Sequence, residues 1–259
     1  MKQLVAIICF LFFSHLVSAA TLIAQYDFEN SSGLGLDSSG YGNDASVVTN
    51  IGQIVGHNGT GHAAKFSGGS SRLRIDPLNG YTGYPGFSFT GWMWIDASAS
   101  GYQGFLSQDQ NGECNNRFMV NPALHPFINA HQHSDRALTG YTLEKSAWFH
   151  YALVVADSSN GAIAKVYVNG NEVAGSPQIF DRLGSSASFH TYLGAGENGT
   201  YYNLQGALDD VCIYEGALTA SEVLAMANSS ANVPEPSAFI YAFLTIIAIT
   251  LGKELKRHK

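Results

Sequence analysis

Basic residues are scarce in this chain. Lys and Arg number 13 in 259 residues, and five of them (Lys2, Lys253, Lys256, Arg257 and Lys259) lie at the two extreme ends. Between residues 21 and 252, 8 basic residues face 19 acidic ones, a net −11. No basic cluster with interleaved aromatics occurs there, which excludes nucleic acid and anionic lipid as partners of this part. Cysteine is nearly absent as well: Cys9 lies in the N-terminal apolar stretch, leaving Cys114 and Cys212. A disulfide framework is excluded, although one bridge remains possible in an oxidising compartment and would stabilise by about 4–5 kcal/mol on the chain-entropy model. Long apolar runs are missing except at the ends. The motifs of common catalysts are missing too: Gly-x-Ser-x-Gly, Walker A, His-Glu-x-x-His, a Cys-His nucleophile pattern, and any Glu-x-Asp-x-Glu strand. A retaining glycosidase needs two carboxylates roughly 5–5.5 Å apart, which on a strand means acids at i and i+2 facing one way. The adjacent pair Asp209-Asp210 is expected to point to opposite faces, so no catalytic residue is assigned.

What is present is first of all two targeting ends. Lys2, the apolar stretch 4–13 and Val17-Ser18-Ala19-Ala20 form a secretory signal peptide, residues 1–20. At the other end Pro234-Glu235-Pro236 precedes an apolar segment, 238–252, and a basic tail, 253–259. The segment barely reaches the roughly 17–25 residues of a spanning helix, and the tail would hold that end in the cytoplasm with everything upstream outside. This three-part arrangement resembles the PEP-CTERM sorting signal of bacterial surface proteins. The resemblance implies an exosortase-like processing protease as a partner, a membrane anchor or its removal, and association with extracellular polysaccharide.

The 21–228 region reads as one all-β domain, with 229–237 as a linker carrying the sorting motif. Apolar residues alternate at period two: Phe87, Phe89, Gly91 and Met93 against Ser88, Thr90, Trp92 and Trp94. The stretch 148–155 is apolar on both faces, as a central strand between packed layers would be. Asn169-Gly170 predicts a hairpin, and 28 glycines punctuate the short runs. Thr219-Ala220-Ser221-Glu222 is a capping box that predicts one helix, ending near Asn228. Many short strands and one helix make a two-sheet antiparallel sandwich.

Six segments in order resemble the laminin-G-like jelly roll of the concanavalin-A-like lectin/glucanase superfamily. They are Gln25-Tyr26-Asp27-Phe28-Glu29 with the turn 37–44, Ala63 to Gly68, Phe87 to Met93, Trp148 to Val154, Val166 to Gly170, and Gly206 to Tyr214 followed by Ala217-Leu218-Thr219 and Glu222. The resemblance implies a non-catalytic binding module for a glycan or another extracellular matrix component, with a protein-binding adhesin and a divergent glycan-degrading enzyme as alternatives. It places Trp92 and Trp148 in the core. It also implies a structural calcium ion on Asp37, Asn43 and Asp209 or Asp210, because Ca²⁺ takes six to eight oxygens and the 37–44 loop is rich in them. The alternative is that Asp37 and Asn43 make Asx-turns.

Candidate ligand residues follow from side-chain chemistry. Tyr81, Tyr84, Tyr102, Tyr201 and Tyr202 lie in Gly-rich loops where rings could stack on sugars. His131 and His133 would share a strand face, as ligands of a transition metal or, with Asn115, Asn116 and Arg117, as a polar sugar site.

Overall fold

A computed structural model describes residues 20–82, 86–110, 113–129, 135–181 and 188–229, with 110 and 113–115 described by backbone alone. The signal peptide, the Pro234-Glu235-Pro236 motif, the apolar segment and the tail lie outside these residues, as do Tyr84, His131 and His133. Among the described residues no helix is long and apolar enough to cross a membrane.

The domain is an antiparallel jelly-roll sandwich. Nine described strands form one sheet. Along its main path, Asn171–Glu172, Gly161–Val168, Trp148–Ser158, Gly86–Ile95, Gln205–Glu215, His62–Ser67 and Ile51–Val55 are neighbours in that order. Thr21–Tyr26 pairs with Gln205–Glu215, and Gln178–Phe180 with Gly161–Val168. The second sheet orders Arg136–Ala137, Pro126–Asn129, Glu113–Val120, Gln103–Gln110, His190–Leu193, Arg72–Ile75 and Ala45–Thr49.

Alternation decides which side chains meet between the sheets. Phe87, Phe89, Met93 and Ile95 from one central strand and Phe149, Tyr151, Leu153 and Val155 from its neighbour face inward. They pack on Phe105, Phe118, Leu73 and Leu193 of the second sheet. Rings of Phe89, Phe105 and Phe118 surround Tyr151 at centroid distances of 5.1, 5.8 and 5.3 Å. The Tyr151 hydroxyl is buried without a partner, and burial raises its pKa far above the ordinary phenol range.

The hairpin forms as the sequence predicts. Asn169 and Gly170 both have positive φ, +48° and +78°, the type I′ requirement that matches strand twist. The helix Ala220–Asn228 starts on the expected capping box: Glu222 N–H donates to the Thr219 hydroxyl, and Thr219 N–H donates to the Glu222 carboxylate. Its Val223 and Met226 cover Ala152, Val154, Cys212 and Tyr214 on the outer face of the nine-stranded sheet. Cys212 is a free thiol in that cluster. Cys114 belongs to the other sheet, so Cys212 is held on the far side of its own sheet from any bridge across the core.

Candidate functional site

The outer face of the seven-stranded sheet carries a cluster of polar side chains. Ser107 and Asp109 on Gln103–Gln110 and Arg117 on Glu113–Val120 alternate with the inward residues Leu106 and Phe118. Arg117 reaches Asp109 at 3.5 Å and Asp135 at 3.8 Å. Asp109 and the Arg117 side chain are almost wholly buried, at 1% and 3% exposure. Burial raises the Asp109 pKa, opposed by the Ser107 hydroxyl and the Arg117 guanidinium. Asn129 on the next strand donates to Asp135 at 3.1 Å.

Part of the cover is the 194–204 loop. Ser107 donates to Gly196 O at 2.8 Å, Asn198 N–H to Asp109 Oδ2 at 3.3 Å, and Gly104 N–H to Tyr202 O at 2.6 Å. The loop lies this close because Gly104 has no side chain: a Cβ there would collide with the backbone of Ala195 and Gly196. Pinned in this way, the loop aligns four aromatic rings. Tyr201 meets Tyr202 at 6.2 Å, Tyr202 meets Tyr102 at 5.1 Å, and Tyr102 meets Phe127 at 5.4 Å. Tyr201 is 60% and Tyr202 38% exposed. Tyr102 and Phe127 are half-buried, so Tyr201 and Tyr202 are the rings of this row that stand open to solvent.

The structure thus joins Tyr201, Tyr202, Tyr102 and Arg117 of the sequence candidates. Tyr81 is not among the exposed rings: it is buried and packs edge-on against Phe87 at 5.7 Å. Asn116 faces inward beside it, donating to Gln108 at 2.7 Å, because it alternates with the outward Arg117. Asp109 and Phe127 were not singled out from the sequence. Ser107-Gln108-Asp109-Gln110 is polar at every position, so alternation gave no signal for which of them face out.

The nine-stranded sheet carries a second aromatic group. Trp92, Trp94 and Trp148 are half-buried on its outer face, not in the core. The tryptophans alternate with Phe87, Phe89, Met93 and Ile95, and the Phe set takes the interior. Trp94 and Trp148 pack at 6.0 Å, and the His57 ring stacks on Trp92 at 4.3 Å. His57 donates its backbone N–H to Asp209 Oδ2 at 2.9 Å, and its Nδ1 lies 2.9 Å from the same oxygen and 3.8 Å from Asp210. The ligand atoms of His57, Asp209 and Asp210 fall within 4.8 Å of one another.

Asp209 and Asp210 therefore do not point to opposite faces. A register shift between Asp209 and Cys212, with Asp210 at φ +45°, brings both carboxylates to one side. The pair is not free for nucleophilic work, since Asp209 accepts from Asp210 N–H as well as from His57. Nor does the group fit calcium: an imidazole nitrogen already occupies the space between the carboxylates, where Ca²⁺ demands oxygens. The loop residues expected to complete a calcium shell form a separate hydrogen-bonded group. Asp37 accepts from the N–H groups of Gln25, Ser39 and Asn43. The Asn43 amide binds Ile23 O and Asn79. These are turn-shaping contacts.

Burial, then the neighbouring Asp209 charge, pushes Asp210 up to about 6. A carboxyl with a raised folded pKa penalises folding as pH rises from the unfolded value through about 6. His150, on the same face, is lowered to about 4 by burial and by His57, so it penalises folding as pH falls below its ordinary value. Asp210→Asn is therefore expected to stabilise the domain at pH 7 and to be neutral at pH 4. Urea midpoints across that range check this. A difference that does not change with pH would remove the carboxyl as its cause.

The family model described as the concanavalin A-like lectin/glucanases superfamily matches residues 67–224. No curated protein matches. Among solved structures, domain 4 of AbnA, a GH43 extracellular arabinanase from Geobacillus stearothermophilus solved with arabinotriose, is 23% identical with a TM-score of 0.60. That match covers 81% of this chain and 100% of the domain. Botulinum neurotoxin type C, whose cell entry depends on two ganglioside molecules, is 14% identical with a TM-score of 0.59, covering 82% of this chain and 52% of that one. Trypanosoma rangeli sialidase is 16% identical with a TM-score of 0.58, and the match covers 81% of this chain and 32% of the sialidase. At these identities the likeness is one of fold, and it spans binding domains and glycosidase chains alike.

Proposed function

This chain belongs to the concanavalin A-like lectin/glucanases superfamily, and from that premise we propose that it is a non-catalytic glycan-binding module displayed outside the cell. The observation that carries this reading is the row Tyr201, Tyr202, Tyr102 and Phe127 lying beside the buried Asp109–Arg117 pair on one sheet face. Stacking on such rings is tolerant of sugar identity, and the buried pair beneath helps hold the loop that carries Tyr201 and Tyr202 in place. The complex of the arabinanase domain with arabinotriose supports an oligosaccharide as the partner class. Export through residues 1–20 and sorting at Pro234-Glu235-Pro236 by an exosortase-like protease complete the proposal, with the 238–252 segment holding the protein in the membrane before processing. Exopolysaccharide would then be the nearest ligand.

A glycan panel probed with the full chain tests it. Binding of an oligosaccharide series whose affinity rises with chain length is the expected result. Binding of protein partners alone would favour the adhesin. Hydrolysis of a bound glycan would favour the glycan-degrading alternative.

A further inference from the structure

A cavity of about 290 Å³ opens where the strand Gly86–Ile95 ends and the loop leading to Tyr102 begins. Ile95, Pro122 and Leu124 give it an apolar lining, and Ser100, Gln103 and Lys145 add polar groups. Gln103 is committed within the fold, donating to Ser100 O at 2.9 Å and accepting from Gln205 N–H at 2.8 Å. Lys145 is held differently from most described cations. Lys65, Arg74, Arg117 and Lys165 each meet a carboxylate. Among the described residues, the Lys145 ammonium donates to neutral acceptors, Ala99 O at 2.5 Å and Ala97 O at 3.5 Å. Those two bonds anchor the group and leave its charge uncompensated and a third N–H unused. Tyr102, whose ring belongs to the aromatic row, sits in the chain between the lining residues Gly101 and Gln103.

Resting on the glycan reading above, we propose that this cavity is a subsite for a single carboxylate-bearing sugar ring, with Lys145 pairing the carboxylate. The volume lies at the small end of ligand sites, suiting one ring rather than a chain. The apolar lining suits the C–H face of a pyranose. A polar site that holds an uncompensated cation discriminates against a ligand without the matching anion. Exposed charges more than about 8 Å from a seated ring are screened at physiological salt.

The test is calorimetric, with the full chain and two probes: tri-galacturonate and its neutral counterpart, a galactose trisaccharide. The wild type is expected to bind the uronate trimer at least tenfold more tightly. Lys145→Met, which keeps the aliphatic stem, is expected to lose that preference while its affinity for the neutral trimer stays within about twofold. Lys145→Arg is expected to restore most of the preference, which a merely structural lysine would not do. Tyr202→Asn is expected to weaken both probes. Equal affinity for the two trimers in the wild type, or a preference surviving in Lys145→Met, overturns the subsite and leaves the glycan reading standing. Binding of neither trimer, together with a blank glycan panel, overturns both.

Discussion

Asp109→Leu is expected to destabilise the domain by about 3–5 kcal/mol, the cost of removing one partner from a buried ion pair. The Arg117 guanidinium, at 3% side-chain exposure, would lose the carboxylate 3.5 Å away, and Asp135 at 3.8 Å is itself one-third exposed. Asn198 N–H would lose its acceptor too, so the 194–204 loop would loosen along with the strand. For a domain of this size the loss is a fall in Tm of roughly 10 °C, readable by calorimetry or circular dichroism. Asp109→Asn, which keeps an acceptor in place, should fall between the two. A loss below about 1 kcal/mol for Asp109→Leu would mean that water already satisfies the guanidinium, and the pair could not then be a rigid part of a binding face.

Tyr202→Asn is expected to cut glycan affinity by ten- to thirtyfold, about 1.4–2 kcal/mol. The ring sits between Tyr201 and Tyr102, so its loss breaks the row in the middle. Asparagine is the informative truncation because Tyr202 has φ +56°, a left-handed conformation that asparagine tolerates better than most residues. Tyr201→Ala, at the end of the row and 60% exposed, should cost less. Ile179→Ala removes an equally exposed apolar side chain from the other sheet and should leave binding unchanged. If Tyr202→Asn binds like the wild type while folding normally, the glycan does not use this face. The tryptophan face of the nine-stranded sheet would then be the next surface to truncate.

Much of the fold was legible in the chain because it depends on local chemistry. Thr219 and Glu222 cap the helix through contacts three residues apart, and Asn169-Gly170 turns a hairpin by its own backbone preferences. The site was legible only in part. Tyr201, Tyr202 and Arg117 were named as binding candidates from residue type and loop context, and the structure brings them to one face. Tyr81 and Asn116 were named on the same grounds but turn inward, because a loop tyrosine next to a core strand finds Phe87 before it finds solvent. Trp92 and Trp148 misled in the opposite direction. Trp92 shares its face with Ser88 and Thr90, which already marked that face as the outer one. For Trp148, in a stretch apolar on both faces, periodicity says nothing about which set faces in. Asp209 and Asp210 misled because adjacency on a regular strand implies opposite faces, and a bulge with one left-handed residue cancels that rule.

By itself the sequence determined the antiparallel sandwich, its closing helix and the absence of the common catalytic motifs, since alternation, turn residues and caps act over a few neighbours. Only the tertiary structure decided which faces carry the aromatics, that Asp109 and Arg117 form a buried pair, and that no carboxylate among the described residues pairs with Lys145. Each of these depends on strand order and register. Asp109 and Arg117 meet across one hairpin, eight residues apart, but their burial needs the 194–204 loop to fold back over Gly104. Lys145 meets Ala97 and Ala99 across more than forty residues, where no local preference can record the contact.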